Sequence, residues 1–213
     1  MSEIRVDNII GETGVDAVRF TKGVNVTGIV TASSFSGSVA ASQLTGALPA
    51  ISGANLTGIS AGITMTDQWR VTANFNHGAG TATITSNWEQ NDTYYTTLSG
   101  GSMTESSGIF TFPQTGIYLV KMTFCYSSSG KSYVGVKIYA TTDGSSYTDI
   151  ADSYDGSVGG NQYSGSYTEA IFDCVNTTTH KVAIYGSTVD AATMAGAGDK
   201  HRSGVTFIRL GDT

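Results

Sequence analysis

Residues 108–124 read GIFTFPQTGIYLVKMTF, and this stretch decides the fold of the larger part of the chain. In its second half, apolar side chains recur at every second position: Tyr118, Val120, Met122 and Phe124. A period of two places these side chains on one face of a β-strand. The motif Pro-Gln-Thr-Gly at 113–116 marks a turn just before that strand. The stretch therefore predicts a strand, a tight turn and a second, half-buried strand.

The same pattern extends over residues 67–213, where short strand-like runs are separated by turn motifs such as Asp143-Gly144. We predict strands near 69–76, 81–88, 93–98, 108–113, 116–126, 132–141, 163–175, 180–187 and 203–210. No convincing helical period is present. Many short strands at this spacing predict an all-β sandwich or jelly roll, and this region is long enough to bury a hydrophobic core.

In front of this region, Gly23–Thr66 has no Asp, Glu, Lys or Arg. An apolar residue followed by Thr or Ser and then Gly recurs at Val26, Phe35, Leu44 and Leu56. Ordering 44 residues costs on the order of 40–90 kcal/mol, and one copy has little apolar area to offset that cost. We therefore expect residues 23–66 to form a β shaft intertwined with other copies of itself, with those four residues in its core. A disordered Gly/Ser/Thr linker is the alternative.

Residues 1–22 differ from the shaft because they hold seven charges. The pattern around Gly11–Gly14 predicts a short strand–turn–strand module that meets a different partner.

The formal net charge of −6 and the lack of a basic run argue against nucleic-acid binding. Polar residues interrupt every apolar run well short of a membrane span, and no signal peptide is visible after Met1, which favours assembly in a cytoplasm. Cys125 and Cys174 are too few for a disulfide scaffold, and we expect them to be small core residues.

Residues 108–119 resemble the central signature of the C1q/TNF-like jelly roll, where Gly-x-Phe-x-x-Pro-x-x-Gly-x-Tyr joins two strands of the sandwich. The runs Val136–Tyr139 and Ser203–Leu210 are similar to two further strands of that family. The resemblance covers about residues 67–213. It implies a jelly-roll head, and because members of the family are characteristically homotrimers, it implies a homotrimer.

Residues 1–66 resemble the N-terminal and shaft segments of bacteriophage tail fibres and other virion appendages, especially marine and cyanobacterial ones. The phrases Leu44–Pro49 and Ser52–Gly58, and the ending Phe207–Thr213, carry this likeness. It implies a homotrimeric fibre or spike on the virion, assembled in the host cytoplasm. Residues 1–22 would bind another virion protein, and the head would adhere to a host-surface glycan. The alternatives are a capsid fibre or decoration protein, and a secreted C1q-like lectin.

We expect no enzyme activity and no cofactor. The three histidines, His77, His180 and His201, each stand alone. Nothing indicates that Glu89, Asp92 and Glu105 converge as a glycosidase pair, and a glycan-degrading tailspike would be longer. Four carboxylates in a short span form a weak Ca²⁺ candidate, and the alternative is a solvated surface: Asp143, Asp149, Asp152 and Asp155.

Four tyrosines lie in the polar stretch 143–168, which we interpret as a long loop: Tyr147, Tyr154, Tyr163 and Tyr167. Tyrosine offers a large amphipathic contact area at low entropic cost. We therefore predict that these side chains contact the receptor. The alternative is that the rings pad the sandwich or the interface between subunits.

Overall fold

The computed structural model describes Thr27 and residues 62–93, 95, 98, 100–129, 133–156 and 161–213. The strands described here belong to the second of two compact units, Leu56–Thr213. The predicted attachment module at 1–22 and the predicted shaft core at Val26, Phe35, Leu44 and Leu56 lie outside the described residues.

The described part of the chain contains thirteen strands and no helix, and so no helix able to cross a membrane. In chain order they are β1 Thr66–Val71, β2 Phe75–His77, β3 Gly80–Thr83, β4 Trp88–Gln90, β5 Thr104–Ser106, β6 Ile109–Thr111, β7 Gly116–Ser129, β8 Val134–Thr141, β9 Thr148–Asp155, β10 Asn161–Cys174, β11 Lys181–Thr188, β12 Ala192–Met194 and β13 Gly204–Gly211.

These strands form two antiparallel sheets. The first sheet has the order β10–β7–β13–β1–β4, with β12 pairing β7 beyond the end of β13 and β2 pairing β12. The second sheet has the order β5–β6–β11–β8–β9, with β3 also pairing β11. Strands distant in sequence are therefore neighbours, and β9 and β10 each pair with only one other described strand.

The core lies between the two sheets. The alternating row of β7 is fully buried as predicted, at Tyr118, Val120, Met122, Phe124 and Tyr126. The facing rows come from β8 and β11, including Val136, Ile138 and Ile184. Phe110 sits among aromatic rings, with centroids of Trp69 at 5.6 Å and Phe207 at 5.2 Å. Each fully buried side chain of this size stabilises the fold by roughly 1.5–3 kcal/mol.

The turn at Pro113–Gly116 shows why the signature at residues 108–119 requires a glycine and a tyrosine at fixed positions. A Cβ at Gly116 would stand 2.7 Å from the Gly211 carbonyl oxygen, so no larger residue fits between this turn and β13. The hydroxyl of Tyr118 donates a 2.9 Å hydrogen bond back to the Gln114 carbonyl. The signature thus joins β6 to β7 and holds the end of β13 against the turn.

One sequence prediction about secondary structure is wrong. The stretch 143–168 is not a long loop, because β9 and the first half of β10 occupy most of it. Its Asp, Ser and Gly residues obscure the alternation, since the usual strand pattern is recognised by apolar residues on one face. Of the strand predicted near 93–98, only residues 93, 95 and 98 are described, so that strand stays a prediction.

Candidate functional site

The outward face of β10 carries a row of large exposed tyrosine and aliphatic side chains, with Gly165, Glu169 and Asp173 at the positions between them. Tyr163 is 67% exposed, Tyr167 66% and Ile171 61%, and Val175 continues the row just past the strand. Successive side chains of a strand alternate between faces. The inward positions between them therefore point to the sandwich, and they are buried Ser164, Ser166 and Thr168. The first half of β10 thus turns its polar side inward and its aromatic side outward.

The neighbouring strand β7 leaves this row uncovered. Ser127 lies opposite Tyr163, and Thr123 lies opposite Tyr167. Cys125 lies opposite Gly165, so small side chains border the two rings. Among the described strands β10 pairs with β7 alone, which makes it an edge strand. The result is an aromatic surface at the edge of the first sheet.

The four predicted tyrosines do not share one surface. Tyr163 and Tyr167 lie on the outward face of the first sheet, whereas Tyr154 lies on the second sheet, opposite Gly135 of β8. Tyr147 precedes β9 and is half-buried, and burial, followed by the nearby Tyr185 and Asp143, raises its pKa. The tyrosines that were predicted as one group are therefore divided between the two sheets.

Three of the four carboxylates of the Ca²⁺ candidate have other partners, and Asp155 lies at the end of β9, opposite Val134. Asp143 Oδ1 accepts hydrogen bonds from the amides of Ser145 at 2.8 Å and Ser146 at 2.7 Å, and these bonds hold its pKa well below the ordinary value. Asp149 and Asp152 contact Lys137 instead. No group of three or more side chains that could hold a metal ion occurs in the described ranges.

Lys137 is the centre of a compact polar cluster on β8. Its Nζ lies 2.5 Å from Asp149 Oδ2 and 3.4 Å from Asp152 Oδ2. It also lies 5.6 Å from the centre of the Tyr154 ring. The Asp149 carboxylate and then the Tyr154 hydroxyl raise the pKa of Lys137 well above its usual range. This cluster was missed at the sequence level, although Gly135, Lys137 and Tyr139 alternate along β8.

The acids and histidines considered for catalysis have structural partners. Arg70 is buried and donates to Glu89 at 3.1 Å, with Asp92 at 3.8 Å. Glu105 lies in the other sheet and accepts the Gly108 amide at 2.6 Å. His77 Nδ1 lies 3.2 Å from the Thr188 hydroxyl.

His180 Nδ1 lies 3.1 Å from the Thr179 hydroxyl. Burial lowers the pKa of His201, whose Nε2 has no hydrogen-bond partner among the described residues. The two cysteines are free thiols, with Cys174 buried as expected and Cys125 half-buried on the outward face.

Comparison with known proteins shows the fold. No protein-family model matches the chain, and no curated protein matches it. The Eiger TNF structure from S. frugiperda aligns with a TM-score of 0.55 at 10% identity, over 72% of this chain and 96% of that one. Murine APRIL at pH 5.0 aligns with a TM-score of 0.52 at 12% identity, over 68% of this chain and 98% of that one. Murine APRIL at pH 8.0 gives 0.51 at 11% identity with the same coverage.

These likenesses confirm the fold predicted from residues 108–119. The two antiparallel sheets and the structural neighbours agree on one architecture. The chain carries an all-β, C1q/TNF-like jelly-roll sandwich.

Proposed function

We propose that the chain is a non-enzymatic structural subunit of a virion, a homotrimeric tail fibre or spike whose jelly-roll head adheres to the host surface. The observation that carries the proposal is the outward row of Tyr163, Tyr167 and Ile171 on β10. This row spans about 26 Å at about 3.3 Å per residue. Tyr163 and Tyr167 flank Gly165, and Glu169 lies between Tyr167 and Ile171. Exposed apolar surface that is rimmed by polar residues marks interaction sites.

A second copy of the same chain is the partner that this row suits best. Tyrosine provides contact area with little loss of side-chain entropy, and the small residues of β7 beside it leave room for a neighbour's side chains. Closed cyclic symmetry would cover the row in every copy and leave no open interface. The C1q/TNF-like fold supports a trimer over other symmetries.

The fibre role rests on the part of the sequence before the head. Gly23–Thr66 contains no charged residue. In a trimer, a charged residue in this segment would occur three times around the axis and would lose its hydration there, which is unfavourable. The charged residues 1–22 then attach the fibre to another virion protein. In this proposal the three heads of one trimer bind a repetitive glycan. Because the three binding sites are linked, each is at high effective concentration once the first has bound, and weak single contacts add up to stronger overall binding.

Two measurements test this function. Native mass measurement of the full chain at micromolar concentration is expected to give three times the chain mass of 22.1 kDa. A stable folded monomer would contradict it. Imaging of virions with antibody against residues 67–213 is expected to label the tail. Label on the capsid would support the decoration-protein alternative, and unlabelled virions would contradict a virion role.

A further inference from the structure

The outward face of the second sheet holds an ordered grid of side chains centred on Lys137. Lys137 lies directly opposite Asp152 of β9 and Tyr185 of β11. The surrounding outward positions are Tyr154 and Asp149 on β9, Gly135 and Tyr139 on β8, and Ser187 and Ala183 on β11. One lysine, two carboxylates and three tyrosines therefore share one surface, away from the apolar row of β10.

A β-bulge builds part of this grid. Ala151 pairs with Ile138, but the next residue of β8, Tyr139, pairs with Asp149, so Ile150 is an extra residue in β9. In a regular strand Asp149 would share a face with Ala151 and point away from Asp152. The bulge brings Asp149 to the same face as Asp152, and both carboxylates reach Lys137. Bulges are used to re-aim side chains in this way, frequently beside functional sites.

The tyrosine rings of the grid are held in place by packing. Tyr139 and Tyr185 are diagonal neighbours across β8 and β11, with centroids 4.2 Å apart and planes at 31°. Tyr154 lies edge-to-face with Tyr133 at 5.3 Å. A Cβ at Gly135 would stand 2.4 Å from Tyr154 Cδ1, so glycine lets this ring lie on the sheet. Rings fixed before binding lose little entropy when a ligand covers them.

The charges of the grid indicate which class of ligand it can bind. The Lys137 side chain is only 13% exposed and its charge is directed at the two carboxylates, whereas Asp149 and Asp152 remain 31% and 47% exposed. The three groups together carry a net charge of −1, so Lys137 is not free to bind an anion, and Lys181 lies at the margin of the grid, two residues before Ala183. The carboxylate oxygens can accept hydrogen bonds from hydroxyl groups. The tyrosine rings offer flat apolar faces that suit the C–H face of a sugar ring.

We propose that this grid is a shallow binding site for a neutral saccharide, with Tyr139, Tyr185 and Tyr154 as the stacking surface. Asp149 and Asp152, positioned by Lys137, accept the sugar hydroxyls. The site rests on the adhesion role proposed above and places adhesion on the second sheet, whereas the β10 row is the proposed contact between copies. Because the face is open, one site binds weakly, and three copies on one fibre raise the overall affinity.

The full chain applied to an array of immobilised glycans tests the proposal. The array carries neutral glycans ending in hexose or N-acetylhexosamine, beside sialylated and sulfated ones. Retention on at least one neutral glycan is expected. It should fall at least tenfold in Tyr154→Ala and in the double variant Asp149→Asn/Asp152→Asn. Asp199→Asn removes a more exposed charge outside the grid, on a side chain that is 75% exposed, and should bind as the unmodified chain does.

The melting temperature and native mass of each variant should be measured as controls for its folding and oligomeric state. Tyr154 is 46% exposed and the Asn changes are isosteric, so all variants should fold. Binding only to acidic glycans, no binding to neutral ones, or unchanged binding by both grid variants would overturn the site. A changed oligomeric mass in the grid variants would overturn it too, because the face would then be a contact between copies.

Cell adsorption separates this proposal from the function it rests on. If the trimer adsorbs to host cells and the grid variants adsorb equally well, the saccharide site is wrong while the fibre function stands. If the chain is a monomer that still binds neutral glycans through the grid, the site stands and the trimeric fibre is wrong.

Discussion

Strands β7 and β10 are equally long and pair along their whole length, from Asn161 opposite Ser129 to Cys174 opposite Gly116, yet they use alternation in opposite ways. β7 turns its apolar row inward, where every member from Tyr118 to Tyr126 is fully buried. The first half of β10 turns Ser164 and Ser166 inward and its tyrosines outward. The same period of two therefore builds the core in β7 and an exposed aromatic surface in β10.

The second half of β10 returns to the usual pattern. Phe172 and Cys174 are buried, and the Phe172 ring stacks on Phe112 at 5.4 Å and 19°. Tyr163 and Tyr167 therefore belong to a strand that is anchored at its far end in the core. Their backbone is also paired with β7 on one side.

The largest effect is expected from emptying the inward row of β7. Phe124→Ala leaves a cavity beside a fully buried position and should cost about 3–5 kcal/mol. For a domain of this size the melting temperature should fall by roughly 10 °C or more in thermal denaturation. Thr123→Ala, on the exposed face of the same strand, should change stability by at most about 0.5 kcal/mol. Equal effects of the two variants would contradict the assignment of faces.

A charge on the outward row of β10 should act on assembly and not on folding. Ile171→Asp places a third carboxylate beside Glu169 and Asp173 in the proposed contact between copies, where burial of an unpaired charge costs several kcal/mol. The native mass should fall from three chains to one at micromolar concentration, with the β-sheet circular dichroism retained. Val189→Asp changes a partly exposed residue outside this row and should keep the trimer. An Ile171→Asp variant of unchanged mass would remove β10 from the interface.

Alkaline pH should report on Tyr118, one of the two buried tyrosines of β7. Burial raises the pKa of Tyr118 to about 12, above its unfolded value of about 10. The folded state therefore favours the neutral phenol, so its contribution to stability is intact below pH 10 and is lost as the pH rises towards 12. Melting temperatures measured from pH 8 to 12 should fall less steeply in Tyr118→Phe. Tyr167→Phe, which alters an exposed ring, should follow the unmodified chain, and identical curves for all three proteins would refute this role of Tyr118.

The smallest effect is expected from the inward polar row of β10. Ser166 Oγ is buried without a hydrogen-bond partner among the described residues, so Ser166→Ala removes an unsatisfied group. We expect a gain of about 1 kcal/mol, measured as a rise of a few degrees in melting temperature. Thr168→Val should have the opposite sign, because the Thr168 hydroxyl donates to the Asp152 carbonyl at 3.3 Å. A loss of stability in Ser166→Ala would mean that this hydroxyl has a partner.

The parts of the fold that were predictable are those in which local pattern and burial agree. Tyr118 to Phe124 alternate, the Pro113–Gly116 turn precedes them, and the resulting strand is the centre of the first sheet. β9 was taken for a loop because Asp149, Asp152 and Asp155 are poor strand formers. Their strand is stabilised by pairing with β8, which no local pattern reveals.

The candidate site was predictable in residue type and not in grouping. Tyrosine-rich composition indicated a contact surface, but Tyr154 and Tyr163 lie on different sheets. Lys137 and Tyr185 were not proposed at all, because they meet only through the pairing of β8 with β11. When two residues that are distant in sequence are in contact, neither local sequence indicates the contact.

By itself, the sequence determined the all-β class, the strand–turn–strand signature at 108–124 and the alternation of β7, since these follow from steric and hydrophobic preferences of neighbouring residues. Only the tertiary structure decided which face of β10 is outward and that the Ile150 bulge turns Asp149 towards Lys137. Alternation defines two faces of a strand, but which face is buried depends on the sheet that packs against it. Register depends on the partner strand, and a single extra residue changes the face to which a side chain points.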